Sequence, residues 1–325
     1  MIQVTGLKRS FGSFVAVRNV SFGIEPARGV VGLLGPNGAG KTTTMRMLTG
    51  YLKPDEGRIT VAGLDGSTEA GRLEIKRTIG YLPENNPLYP EMLVSEYLEF
   101  MGRARGMEGT ALQSAGRRMI EELELESHFY TPIGLLSRGF RQRVGLAGAL
   151  IHDPSVIILD EPTGGLDPNQ IEHIRNLIRK LAQDRTVLLS THILQEVEDI
   201  CERVIIIHAG EVVADQPTQE LKRTETIQIG FRKEGMNASS IQKELMEMNG
   251  VQSVLFSAVA GGDSSEHSVG AGAEPDDGFL TAEVQWNDAP EKLLSSLISR
   301  GYSVRFFTPG RRSLQEIFQE LTHRR

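Results

Sequence analysis

Gly35-Pro36-Asn37-Gly38-Ala39-Gly40-Lys41-Thr42-Thr43 is the stretch from which the fold follows. Before it, Val30-Val31-Gly32-Leu33-Leu34 is an apolar run of strand length; after it, Thr43-Thr44-Met45-Arg46-Met47-Leu48 has a helical pattern stopped by Gly50. A glycine loop that leaves a strand and enters a helix at Gly-Lys-Thr suits the wrapping of phosphates. Its N–H groups turn inward, and its glycines take conformations that a Cβ would block. In that setting Lys41 reaches the β- and γ-phosphates of a nucleotide and the Thr42 hydroxyl sits on Mg²⁺.

Length and composition bound what can surround this loop. The 325 residues allow a substantial core and suggest about two domains. A net charge of −7 opposes binding of a polyanion, so no nucleic-acid partner is expected. The single cysteine, Cys201, excludes an internal disulfide and reads as a packing residue in a reducing compartment. Met1-Ile2-Gln3-Val4 lacks a basic-then-apolar signal pattern, and no apolar run approaches the ~18 residues of a membrane span. The expectation is a chain that reaches a membrane only through a partner.

Upstream of the loop, residues 1–28 alternate and, with Arg58-Ile59-Thr60-Val61, predict a small antiparallel sheet. Phe11 in this region can stack on a base, although aromatics in β-rich segments more often pack in a core. Downstream, Ile79-Gly80-Tyr81-Leu82 is a short strand entering the turn Pro83-Glu84-Asn85-Asn86-Pro87. Such a turn can place Glu84 or Asn85 at the strand's end, or leave Glu84 in solvent. From Ser95 to His128 the pattern is helical, interrupted at Arg105-Gly106-Met107-Glu108-Gly109-Thr110, so the helical insert comes in at least two pieces. Ser137-Arg138-Gly139 then opens another helix, where a hydroxyl and freed amides donate together, either to a ligand or as an ordinary cap.

Two further strands end in polar residues. Val156-Ile157-Ile158-Leu159 is all apolar, as in a parallel sheet covered on both faces, and delivers Asp160-Glu161 at its carboxyl end. Beside a phosphate loop, Asp160 suits a Mg²⁺ shell and Glu161 the polarising of a water. Thr186-Val187-Leu188-Leu189-Ser190-Thr191 delivers His192 in the same way. Val204-Ile205-Ile206-Ile207 and Gly210-Glu211-Val212-Val213-Ala214 read as a closing hairpin. Strand–helix alternation throughout makes this an α/β domain with a mainly parallel sheet.

With the phosphate loop, Leu136-Ser137-x-Gly139 and Asp160-Glu161 in this order, the chain resembles the ATP-binding subunits of ABC transporters over about residues 1–220. Asp167 in Gly-Leu-Asp-Pro and His192 in Ser-Thr-His match further elements of that family. The resemblance implies ATP and Mg²⁺ as cofactors, Phe11 as the adenine-stacking aromatic, Glu161 as general base and His192 as a γ-phosphate contact. It also implies that Ser137 and Gly139 bind the γ-phosphate of ATP held by a second copy, with Asp167 linking the two sites of the homodimer. Two elements depart from the family pattern. Glu84 replaces the hinge glutamine, and Arg138 and Phe140 replace a glycine and a glutamine of the Leu-Ser element. Leu136-Ser137-Arg138-Gly139-Phe140-Arg141-Gln142-Arg143 is most similar to the drug-, lipid- and polysaccharide-exporter type, in particular to gliding-motility-associated subunits.

Beyond Arg223 the order strand (226–231), helix (239–248), strand (251–256), strand (279–286), helix (289–300), strand (302–307) predicts a ferredoxin-like α+β split fold, closed by a helix at 313–321. Residues 260–278, rich in glycine, serine and acidic side chains, read as a mobile loop, and Trp286 as a packing residue. The expected organisation is a phosphate-loop ABC ATPase domain at 1–223, with parallel-sheet core, antiparallel subdomain and a helical insert near 88–150, followed by an accessory domain at 224–325. The expected function is hydrolysis of Mg-ATP by a homodimer that drives an integral membrane permease, in the export direction, from the cytoplasmic face of the membrane. The alternative is a soluble ABC ATPase acting on DNA or ribosomes. A single phosphate loop and the lack of a long heptad insert speak against that alternative, and the intact Asp160-Glu161 pair speaks against a non-hydrolysing nucleotide sensor.

Overall fold

The computed structural model describes residues 1–26, 29–235, 237–248, 250–257, 280–286, 290–311 and 313–323. The expected loop at 260–278, and the outermost residues Phe279 and Ala289 of the expected strand and helix, lie outside them. The chain divides into two units, Met1–Gln219 with Phe318–Arg325, and Glu220–Ile317.

In the first unit, β1 (Ile2–Phe11) and β2 (Phe14–Ile24) form an antiparallel hairpin, followed by β3 (Val30–Leu34) and α1 (Lys41–Leu48). Next come β4 (Glu56–Val61), β5 (Leu64–Asp65), α2 (Glu69–Thr78) and β6 (Gly80–Leu82). The helical insert consists of α3 (Val94–Ala104), α4 (Gly109–Glu122) and α5 (Arg138–Leu150). Alternation then resumes with β7 (Val156–Asp160), α6 (Pro168–Leu181), β8 (Thr186–Thr191) and α7 (Leu194–Ile200), and closes with β9 (Cys201–His208), β10 (Glu211–Pro217) and the short α8 (Thr218–Leu221).

The described strands of this unit join in one sheet, in the order β5-β4-β1-β2-β10-β9-β3-β8-β7-β6. From β9 to β6 all neighbours are parallel, and every residue of β3, β7 and β8 is buried, as their apolar runs demand. Gly32 leaves room inside β3 for Cys201, whose Sγ would stand 2.8 Å from an added Cβ. Cys201 is therefore a packing residue, and burial pushes its thiol pKa well up. The antiparallel sheet of β1, β2, β4 and β5 is not separate from the core. It is joined through the parallel pairing of Glu211 with Asn19, a backbone bridge that leaves no pattern in either strand's side chains.

Register fixes where the loops emerge. Leu34 at the end of β3 pairs with Thr191 at the end of β8, and Asp160 at the end of β7 pairs with Ser190. The loop after β3, the Asp160-Glu161 pair and His192 thus leave the same edge of the parallel sheet, where ligands of open α/β sheets collect. Inside the insert, the break between α3 and α4 falls at Gly106 and Gly109, both at positive φ. Helix α6 begins at Pro168 because Asp167 caps it, accepting the Gln170 N–H at 3.0 Å, with proline suited to the first helical position.

The second unit holds β11 (Arg223–Arg232), α9 (Ala238–Met246), β12 (Val251–Ser257), β13 (Leu280–Trp286), α10 (Pro290–Ser299) and β14 (Ser303–Arg311), and its last residues enter α11 (Leu314–His323). Its sheet is antiparallel, in the order β12-β13-β11-β14, and its core includes Ile229, Phe231, Ile241, Leu245, Val284, Leu293 and Leu297. Trp286 is part of that core.

Candidate functional site

The loop that follows β3 is shaped by its glycines. Gly38 and Gly40 have φ of 80° and 104°, in the left-handed region that glycine enters freely, and Gly40 caps α1. A Cβ on Gly40 would lie 2.6 Å from the Ala16 carbonyl oxygen, and one on Gly35 2.3 Å from that of Ile207. Asn37 lies between Pro36 and Gly38 in the turn, and the Ala39 N–H donates to the Pro36 carbonyl at 3.1 Å. Gly35→Ala is accordingly expected to cost about 1–3 kcal/mol of stability and to weaken nucleotide binding. Urea unfolding of the variant should show a lowered midpoint; an unchanged midpoint would contradict this packing.

Lys41 opens α1, is buried, and its Nζ donates to the carbonyls of Gly35 at 2.7 Å and Pro36 at 3.3 Å. These two bonds hold the cation inside the loop. Burial lowers its pKa, while the charges of Glu161, Asp160 and Glu84 pull it up. Thr42 and Thr43 follow on the first turn, half-buried. The loop residues named from sequence thus run from the end of β3 to the first turn of α1, whose positive dipole end closes the loop.

Asp160 is 1% exposed, and neither carboxylate oxygen makes a hydrogen bond. Burial raises its pKa, reinforced by the charges of Glu84 and Glu161; the Lys41 cation and the neighbouring Ser190 hydroxyl, which stands outside hydrogen-bond geometry, act against the rise. An orphaned buried carboxylate at a strand end fits a bound cation, which would take up the lone pairs that the protein leaves unpaired. Among the described residues no group of three or more His, Cys, Asp or Glu side chains forms a metal cage by itself. A cation here would share its shell with nucleotide phosphates, as Mg²⁺ commonly does.

The sign of the Asp160 shift gives a test. A carboxyl whose pKa is raised by folding costs stability above its unfolded pKa, and the full cost is reached above the folded one. Asp160→Asn removes that cost, so the unliganded variant is expected to melt higher than the native chain, by a margin that widens as pH rises from the ordinary carboxylate range through the raised pKa of Asp160. In the same melts Mg²⁺ with ATP should stabilise the native chain far more than the variant. A variant that melts lower at every pH would overturn this reading.

Glu161 follows at φ 52°, a strained conformation for a non-glycine residue. Its N–H donates to the Ser190 carbonyl at 2.9 Å, and its own carbonyl accepts from Gly164 at 3.2 Å. The carboxylate meets His192 Nδ1, with Oε1 at 2.7 Å and Oε2 at 2.6 Å. The His192 side chain is 50% exposed and that of Glu161 15%, so the pair stands at the mouth of the site, with one partner open to an incoming group. The backbone beside His192 is held by a contact that sequence reasoning missed. The Thr191 hydroxyl donates to buried Glu196 at 2.6 Å and accepts the Ile193 N–H at 3.0 Å.

Glu84 is exposed at the tip of its turn, within electrostatic reach of both Lys41 and Asp160. Phe11 is no core residue: it is 49% exposed at the end of β1, with the Arg9 guanidinium 4.9 Å from its ring centroid. Near the turn lies a cavity of about 540 Å³ rich in aromatic rings, including Tyr51, Tyr81, Tyr89, Tyr97 and Phe100.

Lys41, Asp160, Glu161, His192 and Glu84 are thus brought together, whereas Ser137, Gly139 and Asp167 form a second group. Ser137 caps α5 by accepting the Phe140 N–H at 3.3 Å. Gly139 and Gly165 leave the space taken by the side chains of Gln170 and Arg138, which packs the start of α5 against the loop ending in Asp167. Among the described residues no hydrogen bond or ion pair links Ser137 or Gly139 to the chain's own phosphate loop.

Comparison with known proteins gives the family and the fold. The ABC transporter family model matches residues 17–164. The chain is 33% identical over 323 residues to the uncharacterized ABC transporter ATP-binding protein YxlF of Bacillus subtilis, covering 99% of this chain and 100% of that protein. It is 40% identical over 220 residues to the Nod factor export ATP-binding protein I of Bradyrhizobium diazoefficiens, covering 66% of this chain and 69% of that one. Among solved structures, the dimeric post-hydrolysis state of the ATP-binding cassette MJ0796 bound to ADP and Pi aligns with a TM-score of 0.61 and 26% identity, over 67% of this chain and 98% of that one.

Proposed function

The chain belongs to the ABC transporter ATP-binding proteins and is an ATPase, and from that premise we propose that two copies close on two Mg-ATP and drive an integral membrane permease. Lys41 and the loop amides hold the phosphates, and Thr42, Asp160 and Glu84 hold Mg²⁺, which when bound neutralises charge on the β- and γ-phosphates. Phe11 stacks on adenine. Glu161 accepts a proton from the water that attacks the γ-phosphate, and His192 orients Glu161 and contacts the same phosphate. Ser137 and Gly139 serve the ATP of the opposite copy, and Asp167 lies between the two sites.

The observation that carries this reading is the Glu161–His192 pair, 2.7 Å apart at the sheet edge that also presents Lys41 and Asp160. The packing of Ser137, Gly139 and the loop ending in Asp167 as one group supports their use by a second copy, and the dimeric cassette of similar fold is in keeping with it. Export is supported by the Nod factor export relative. The narrower likeness to gliding-motility-associated subunits rests on residues 136–143 and is proposed for the type of subunit, not for the process it powers. The permease would dock in the aromatic cavity beside Glu84, between the sheet and the helical insert, which would put the protein at the cytoplasmic face of the membrane. No helix among the described residues is long and apolar enough to cross a membrane.

We assign the ATPase domain to 1–223, with its insert at 88–150, and the accessory domain to 224–325. A ferredoxin-like fold for the latter is supported by a sheet whose first and third strands are central and antiparallel. The test is capture of Glu161→Gln, loaded with Mg-ATP, from solubilised native membranes. A multi-span membrane protein retained only with ATP is the expected result. Ribosomal proteins or DNA without a membrane protein would instead establish a soluble ABC ATPase.

A further inference from the structure

The turn after β6, the helix α5 and the peptide after Glu161 meet through two carboxamides. Gln142, 9% exposed on α5, donates from Nε2 to the Pro162 carbonyl at 2.8 Å. Pro162 directly follows Glu161, whose φ of 52° has to be held against its own preference. On its other side Gln142 Oε1 lies 3.4 Å from Asn86 Nδ2, which also donates to the Arg141 carbonyl at 2.9 Å. Asn86 has φ 40°, a conformation that asparagine tolerates better than most residues, and its side chain fills the space that a Cβ on Gly145 would need. Gly145 stands three residues after Gln142, on the same face of α5. The missing side chain at one position and the buried carboxamide at the other form a seat for Asn86.

We propose that Gln142 is a positioning residue for ATP hydrolysis, bracing the Glu161–Pro162 peptide, and that Asn86 ties this brace to the turn carrying Glu84. The inference rests on the reading of Glu161 as general base. When Asn86 is seated, Gln142 has an acceptor and a donor contact at its two ends and holds Glu161 at the angle its task needs. When the turn 83–87 draws away from α5, Gln142 loses one of those contacts and the peptide after Glu161 is freer to turn. A displacement of the general base by about 1 Å can cost a hundredfold in rate. Movement at the aromatic cavity beside the turn would in this way be felt as catalytic rate and not as affinity for ATP.

The test is steady-state ATP turnover by the full chain carrying Gln142→Met, which keeps the volume and loses both hydrogen bonds, alone and combined with Glu161→Gln. The expected result is a fall in kcat of about tenfold to a hundredfold with KM for ATP within about twofold, and no further fall when the change is added to Glu161→Gln. A kcat within about twofold of native, or the same fold-loss in both backgrounds, overturns the inference. Asn86→Asp, a change in a surface turn that removes the Nδ2 donor, should give the same split at several-fold, and serves alone if Gln142→Met does not fold; full turnover in Asn86→Asp likewise overturns the tie. Undiminished hydrolysis in Glu161→Gln alone would remove the underlying general-base reading, a failure visible in that single variant.

Discussion

Glu161→Gln binds ATP about as well as the native chain and turns it over about 10²–10⁴ times more slowly, the range expected for loss of a general base. The substitution is isosteric and the amide oxygen can still meet His192 Nδ1, so the geometry at 2.7 Å survives. What is lost is a group able to take a proton from water. Because the carboxylate is mostly buried and lies within reach of Lys41, its neutralisation also removes a negative charge near the phosphates. ATP affinity therefore holds or improves while kcat falls. Single-turnover hydrolysis next to equilibrium nucleotide binding separates the two, and a variant with native kcat would refute the role given to Glu161.

Lys41→Ala loses nucleotide binding itself, by about a hundredfold or more, or roughly 3 kcal/mol. The side chain is a buried cation inside the loop, already aimed at the space its backbone encloses by its bonds to the Gly35 and Pro36 carbonyls. Truncation leaves those two carbonyls without their donor and the phosphates without their nearest charge. The contrast with Glu161→Gln is the informative part: one variant binds without turnover, the other does neither. Titration with a fluorescent ATP analogue measures both, and tight binding by Lys41→Ala would contradict the placement of the phosphates in this loop.

The parts of the site that could be read from sequence are those encoded in short stretches with a physical signature. A strand-loop-helix with glycines at 35, 38 and 40, and all-apolar strands ending in Asp160-Glu161 or in His192, each carry their geometry locally. The parts that could not be read depend on distant pairings. Asn86 and Gln142 are 56 positions apart, and neither carboxamide belongs to a periodic pattern. The left-handed backbone of Glu161 is set by its bonds to Ser190 and Gly164, and nothing in its side chain announces it. Helix α2 escaped notice because Ile75 is its one buried side chain among the described residues, too little for an apolar stripe. Phe11, read either as core or as platform, is exposed where β1 ends in the hairpin turn to β2, opposite Phe14.

The claim on which the account turns is that ATP is enclosed between two copies, with Ser137 of one serving the nucleotide of the other. The measurement that tests it most directly is the solution mass of Glu161→Gln by light scattering, with and without Mg-ATP, beside the same chain also carrying Ser137→Arg. The account predicts a mass that doubles with Mg-ATP in the first and stays monomeric in the second. A monomer in Mg-ATP, or a dimer indifferent both to ATP and to Ser137→Arg, would contradict it.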